Sequence, residues 1–527
     1  MNHAGPPPRL VADACLRLHG RSTPGKVAVA DGRRSLTYAR LDERVDRIAA
    51  TLQGLGLEKG DRLAVYMGNR IEWAEPLFGC ARAGIVCVPV NGRFRDEEVA
   101  HVLGHSGAVA VVAESRLAPR IAAIRASLEH LPHDRLLCVD PDPPAGFVSL
   151  EAAMAAAPAV PAPVDVDEDD CWYLGYTSGT TGRPKAAVIT HRPRTISAYC
   201  AAIEYGVNDA SKTLVVMPLF HANGIFFLQL MLTVGGTAHV AEQFDARGVL
   251  EAIDAHGITL VSLVPTMYAL ILALPDEVKA RHRLDSLKAT LSSSAPLPGK
   301  VKEEMLAFFP GASIHEFYGS TEAGFVTNLR PRDQMRKLRS VGQAFVGVEI
   351  RLLDERGDEV PAGVVGELWS RGLTHSPAGY WNDPEATRAA YREGGWFSAG
   401  DLAMRDEEGY VYIVDRKKDL IITGGENVYP TEIEDVLLRH PAILEVAVVG
   451  VPDDVWGDRV CAVVVPRGAE APTLADLRAW AKERIADYKC PREVRVVESL
   501  DKGPTGKLLR RAIRDRVVAH TRPGGAA

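Results

Sequence analysis

The strongest constraint on this chain is a repeated alternation of helix-period and strand-period segments, running from near the N-terminus to about residue 330. A helical pattern at 38–55 gives way to short β-branched runs at 62–66, 85–90 and 109–112, and the alternation resumes after residue 170. Strands separated by helices are joined by crossovers, which yields parallel sheets with helices on their faces. The predicted fold is α/β, with a large N-terminal domain of layered sheets. At 527 residues the chain exceeds what one hydrophobic core usually serves, so more than one domain is expected.

Three segments break the alternation. Residues 141–170 hold six prolines and end in VDVDEDD, which reads as a surface connection inside the larger domain. Residues 348–412 read as short strands with Gly-rich turns, a small β-barrel or sheet within a subdomain at about 340–415. In the last hundred residues, a helix opening at Pro430, a strand pair at 445–449 and 459–465, and a helix over 473–488 compose a small α+β domain. Leu474, Leu477, Ala481, Ile485 and Tyr488 give the last helix its apolar face, with Thr473 as N-cap. The expected layout is a disordered 1–8, an N-terminal domain over 9–415, a hinge at 416–418, a mobile lid over 419–515 and a disordered 516–527.

With a net charge of −7 there is no basic excess to attract nucleic acid or an anionic membrane. The eight cysteines show neither C-x-x-C nor His/Cys metal spacing, so free thiols in a reducing compartment are expected. The start lacks a signal-peptide pattern, and the apolar stretch 225–234 is interrupted by Gln229 and too short to span a bilayer. A soluble cytoplasmic protein without membrane insertion is expected.

Chemistry concentrates first in Tyr176-Thr-Ser-Gly-Thr-Thr-Gly-Arg-Pro-Lys185, which packs four aliphatic hydroxyls, two glycines and a lysine into ten residues. Glycines let backbone N–H groups approach phosphate oxygens, hydroxyls donate, and the lysine supplies charge. It is not a Walker A loop, because the lysine lacks the preceding Gly and following Ser/Thr and a second strand follows it. Four more strings follow in order: His315-Glu-Phe-Tyr-Gly-Ser-Thr-Glu322, Trp396-Phe-Ser-Ala-Gly-Asp401, Asp415-Arg-Lys-Lys-Asp-Leu-Ile-Ile-Thr-Gly-Gly-Glu-Asn-Val-Tyr-Pro430 and Gly503-Pro-Thr-Gly-Lys507.

Together these five elements resemble the adenylate-forming superfamily of acyl-CoA synthetases, aryl-CoA ligases, luciferases and adenylation domains, over nearly the whole chain. The resemblance implies activation of a carboxylic acid with ATP as an acyl-adenylate, then transfer to coenzyme A, with Mg²⁺ accompanying ATP. Thr177, Ser178, Gly179, Thr180, Thr181, Gly182 and Lys185 would hold the phosphates. Glu322 would hold Mg²⁺ with Thr180, and Lys507 would bridge the substrate carboxylate and α-phosphate. Tyr318 would stack on adenine near Ser294, Ala295 and Pro296, with Glu316, Phe317, Gly319, Ser320 and Thr321 lining the nucleotide. Asp401 and Arg416 would contact the ribose. Lys418 takes the hinge position, and Gly424, Gly425 and Glu426 would admit the pantetheine arm after the lid swings.

His221 matches a histidine beside the carboxylate in many acyl- and aryl-CoA ligases. Amino-acid adenylation domains place aspartate after the phenylalanine, whereas Phe220 precedes His221 here. The acyl pocket would comprise His221, Asn223, Ile225, Phe226, Val264, Pro265, Leu270, Ser293 and Gly319. Leu270, standing where malonate-type ligases carry arginine, points to an apolar fatty or aryl monocarboxylate. The alternatives are an acyl-AMP ligase loading a carrier protein, a dicarboxylate ligase, and an inactive nucleotide-binding homologue. A homodimer and regulatory acylation of Lys507 are further expectations.

Overall fold

The computed structural model describes residues 9–128, 131–177, 184–423, 426–453, 455–468, 470–503 and 508–521. Four sheets organise them, and the α/β class read from the sequence is what forms. One seven-stranded sheet runs, in spatial order, Val148–Ser149, Leu136–Cys138, Ala110–Ala113, Arg62–Tyr66, Val86–Pro89, Cys171–Thr177 and Lys185–Thr190. Its neighbours are parallel except the last pair, which is antiparallel. A nine-stranded sheet has a parallel centre and antiparallel edges. Helices cover these sheets because crossovers place them there.

Residue pattern explains the packing. In the helix Tyr38–Gly54, Leu41, Val45, Ile48 and Leu52 are buried at three- and four-residue steps, and the Thr37 hydroxyl accepts from the Arg40 amide to cap its start. This helix meets Ala74–Ala83 closely: a Cβ on Gly79 would stand 2.3 Å from Ile48 Cγ2. The helix Ala222–Val234 is buried on all sides from Gly224 to Thr233, so it is a core helix, and no helix among the described residues is long and apolar enough to cross a membrane. All eight cysteines are free thiols.

A six-stranded antiparallel sheet holds Val348–Leu353, Gly366–Gly372, Tyr391–Arg392, Trp396–Phe397, Asp401–Arg405 and Val411–Arg416. A five-stranded sheet in the C-terminal region pairs Ile443–Asp453 with Gly457–Pro466 and adds Glu493–Val496 in parallel.

Two sequence expectations are corrected. The stretch 141–170 is more than a surface connection: it contributes the edge strand Val148–Ser149 and the helix Leu150–Ala156, whose Leu150 and Met154 enter the main core. The helix expected over 473–488 ends early, spanning Leu474–Lys482 behind a Thr473/Asp476 capping box. Ala486 is extended, a 3₁₀ turn covers Asp487–Lys489, and Tyr488 is 37% exposed. Ile485 still packs on the core from outside the helix, so the apolar spacing outlives the helical backbone.

Candidate active site

The strands Cys171–Thr177 and Lys185–Thr190 form an antiparallel hairpin whose last described cross-strand pair is Thr177 opposite Lys185. Ser178, Gly179, Thr180, Thr181 and Gly182 lie outside the described residues, as do Gly424, Gly425 and Lys507. Along the open edge of the second strand, Val188 donates to the Gly379 carbonyl at 2.9 Å and Trp381 donates to the Ala186 carbonyl at 2.8 Å. This bonding brings Tyr380 and Asp383 to the lysine. Lys185 Nζ stands 3.8 Å from Asp383 Oδ2 and 5.8 Å from the Tyr380 ring centroid.

Tyr380 Oη donates to Glu322 Oε1 at 2.7 Å, which fixes one oxygen of a carboxylate that is nearly buried in the turn between Ser313–Ser320 and Gly324–Leu329. Burial, then Glu322, drive the Tyr380 phenol well above its ordinary range, so it remains a donor. Neither Tyr380 nor Asp383 was expected from sequence; the string Tyr380-Trp-Asn-Asp383-Pro, an N-cap before the helix Pro384–Ala390, was the available signal.

The second group gathers where the Ser313–Ser320 strand meets the six-stranded sheet. Tyr318 Oη donates to Asp401 Oδ2 at 2.6 Å, and Arg416 Nε stands 3.1 Å from Asp401 Oδ1. Asp401 and Arg416 are register partners on adjacent strands, so backbone pairing sets the ion pair. Burial and the neighbouring carboxylate push the Tyr318 phenol far up. Gly319 has to be glycine: a Cβ there would fall 1.9 Å from the Gly324 carbonyl oxygen. Ser294 adopts a left-handed φ of 70°, which turns the chain between Ser293 and Ala295.

Several expected contacts fall differently. The Glu316 carboxylate is buried against Lys302 Nζ at 2.8 Å, so any role toward a nucleotide falls to its backbone. Phe317 packs on Phe325, with ring centroids 4.6 Å apart. Ile225 and Phe226 belong to the core, Phe226 lying 4.8 Å from the Phe325 centroid. Leu270 is 56% exposed, because the helix Pro265–Leu272 turns Tyr268 and Ile271 inward; it lines no described cavity and carries no argument about a second carboxylate. Val264 and Pro265 are buried at that helix start.

His221 sits at the N-cap of Ala222–Val234, and two residues on Asn223 Nδ2 reaches Ser262 Oγ and Ser293 Oγ, each at 3.4 Å. Asn223 Oδ1 is buried and has no hydrogen-bond partner among the described residues. A tight cleft beside it is lined by Val216, Met217, Gly224, Phe227 and Ser262. A cavity of about 330 Å³ across the six-stranded sheet is lined by none of the residues expected to handle the nucleotide.

Lys418 falls in the 3₁₀ turn Lys417–Asp419, where burial and then Arg416 lower its pKa. Glu426 is exposed at the start of Glu426–Val428. The strand Ile421–Thr423 pairs with Glu426–Val428 on one side and, through Thr423, with Gly457 on the other; nearby Val455 is 81% exposed, and Arg492 stacks over Trp456 at 4.0 Å.

The family model described as AMP-binding enzyme matches residues 16–381, and that described as AMP-binding enzyme C-terminal domain matches 432–507. Feruloyl-CoA synthases from Amycolatopsis sp and Streptomyces sp are 38% identical over 498 residues, covering 94% of this chain and 97% of theirs. A long-chain-fatty-acid–CoA ligase, FadD13, from Mycobacterium tuberculosis is 34% identical over 497 residues, covering 92% of this chain and 93% of its own. The crystal structure of ATP-bound MatB from Rhodopseudomonas palustris superposes with a TM-score of 0.88 at 31% identity, covering 97% of this chain and all of that one.

Proposed function

This chain belongs to the AMP-binding enzyme family, and from that premise we propose that it is an AMP-forming acyl-CoA synthetase acting on an aryl carboxylic acid with a hydrogen-bonding ring substituent. The observation that carries the ligase reading is the convergence of two groups: Lys185 and Glu322 tied through Tyr380 and Asp383, and Asp401 tied to Tyr318 and Arg416.

A carboxylate is a poor acyl donor because its leaving group would be oxide. Exchange of that oxygen for AMP solves the problem, at the cost of negative charge developing at the α-phosphate, which fixed cations and donors offset. Lys185 supplies one such cation, and Lys507 supplies the second between carboxylate and α-phosphate. Asp401 accepts from the ribose hydroxyls while Arg416 holds its orientation. Glu322 and Thr180 suit Mg²⁺, a hard cation that takes one or two protein oxygens beside substrate phosphates; bound there it neutralises phosphate charge. No cluster of three or more metal-ligating side chains exists among the described residues, which suits an ion arriving with ATP.

For the second half-reaction, the lid exchanges Lys507 for the Gly424-Gly425 loop, and the adenylate passes its acyl group to the thiol of coenzyme A. The exposed Val455–Trp456 tip with its stacked Arg492 supports a nucleotide-bearing acceptor, since an aromatic ring and guanidinium suit a purine and phosphate.

Asn223 supports the choice of acid. A buried amide oxygen without a donor costs about 1–3 kcal/mol, which a ligand hydroxyl would relieve and a saturated chain would not. Similarity to feruloyl-CoA synthases points the same way. The test is a pyrophosphate-release panel of hydroxyaryl, aryl and short to long fatty acids, with AMP and thioester followed with and without coenzyme A. Hydroxyaryl acids should give the highest kcat/KM, with thioester forming only when coenzyme A is present; a preference for long saturated acids would overturn the acid assignment, and release of adenylate without thioester would overturn the acceptor.

A further inference from the structure

His101 and His105 lie one turn apart on the helix Asp96–Ser106 and stack with ring centroids 5.4 Å apart and planes at 25°. One reaches the strand Cys171–Thr177 and the other the residue just before Lys185–Thr190, both at the loop end of that hairpin. His101 Nε2 lies 3.3 Å from the Pro184 carbonyl oxygen, next to Lys185. His105 Nδ1 lies 3.0 Å from Tyr176 Oη, next to Thr177.

The partners set the proton positions of the pair. Pro184 offers only an acceptor, so His101 Nε2 carries the proton and donates. With the single Tyr176 Oη proton directed to the Val102 carbonyl at 3.2 Å, His105 Nδ1 is the donor to the phenolic oxygen at 3.0 Å. Burial, then proximity to His101, lower the pKa of His105, in keeping with a neutral donor. Thr177 and Lys185 face each other in register between these two anchors. One edge of the hairpin is fastened by Gly379 and Trp381 and the other is paired with Val86–Pro89, so the histidine pair adds contacts from the helix Asp96–Ser106 at the Thr177/Lys185 end.

We propose that His101 and His105 are positioning residues for ATP, a two-point brace that holds Thr177 and Lys185 at the spacing a triphosphate requires. This rests on the reading of that hairpin as the ATP-handling element. Neither ring contacts the reacting atoms; they act through Pro184 and Tyr176.

The test compares His101→Leu/His105→Leu with His101→Gln/His105→Asn, whose amide nitrogens replace the Nε2 and Nδ1 donors. Two readouts are used: equilibrium binding of ATP without acid or coenzyme A, and thioester formation from supplied acyl-adenylate. Loss of two neutral hydrogen bonds predicts an ATP Kd raised about tenfold or more in the Leu pair. The Gln/Asn pair should stay within about threefold of wild type, and thioester formation should be unchanged in both. Should the double Leu variant fail to fold, each single Leu variant is measured against its amide counterpart. Unchanged ATP affinity in the Leu variants, equal loss in the amide variants, or a matching fall in thioester formation would overturn the brace. Because the binding readout needs no acid, a protein that binds ATP and activates nothing would refute the ligase reading while leaving the brace to stand or fall on Kd.

Discussion

At the scale of single residues, Asp401 and Arg82 show how much depends on paired charge. Asp401 accepts from Tyr318 and pairs with Arg416, so Asp401→Ala removes the proposed ribose acceptor and strips the arginine of its counter-charge. We expect the KM for ATP in pyrophosphate exchange to rise by about 10–100-fold, as for other charge-assisted contacts, with thioester formation from supplied adenylate less affected. Arg82, 1% exposed, meets Asp13, Asp42 and Asp46 at 2.9, 2.6 and 2.8 Å. Arg82→Leu leaves carboxylates uncompensated and should cost about 3–5 kcal/mol in a urea titration. Burial also lowers His191, His315 and His375 to about 4. Neutral when folded and protonating near 6.5 when unfolded, each contributes stability that is complete above pH 6.5 and lost as pH falls toward 4. The slope is up to about 1.4 kcal/mol per pH unit for each histidine, readable as a denaturant midpoint falling between pH 7 and 5, and shallower in His375→Gln.

At the scale of elements, the Ser313–Ser320/Gly324–Leu329 hairpin carries the tightest steric demand. Gly319→Ala would drive a methyl group into the Gly324 carbonyl, so the strands must part and Tyr318 and Glu322 move with them. We expect a loss of about 1–3 kcal/mol of stability and a larger proportional loss of adenylation than of thioester formation. Elements like this one were legible in the sequence because Gly, Tyr and Glu recur at fixed offsets in a short string. The parallel strands at 62–66 and 109–112 were legible through their β-branched runs. The helix Leu150–Ala156 was not, since its alanines and flanking prolines imitate a linker and only Leu150 and Met154 reveal burial. The early end of Leu474–Lys482 was hidden because Ile485 keeps its apolar contact after the backbone leaves the helix. Leu270 was placed by resemblance, which transfers a position in a string but not its surroundings, and its side chain is exposed. Tyr380 and Asp383 come to Lys185 through strand-edge hydrogen bonds, a pairing no local pattern encodes.

At the scale of the whole molecule, the proposed function divides the chemistry between the α/β sheets and a C-terminal unit that includes Lys507, with the turn Lys417–Asp419 between them in the chain. Beside the turn, Asp415 accepts from the Arg416 and Thr431 amides, and Arg510, which grips Glu434 at 2.7 and 2.8 Å, comes within 3.9 Å of Asp419. If the two half-reactions use different faces of the lid, removing Lys507 should separate them. Acid-dependent exchange of labelled pyrophosphate into ATP, without coenzyme A, tests the central claim most directly. Wild-type protein should exchange only when acid is added, and Lys507→Ala should abolish exchange yet still form thioester from supplied acyl-adenylate. Exchange that ignores the acid, or ADP and phosphate as products, would contradict adenylate formation.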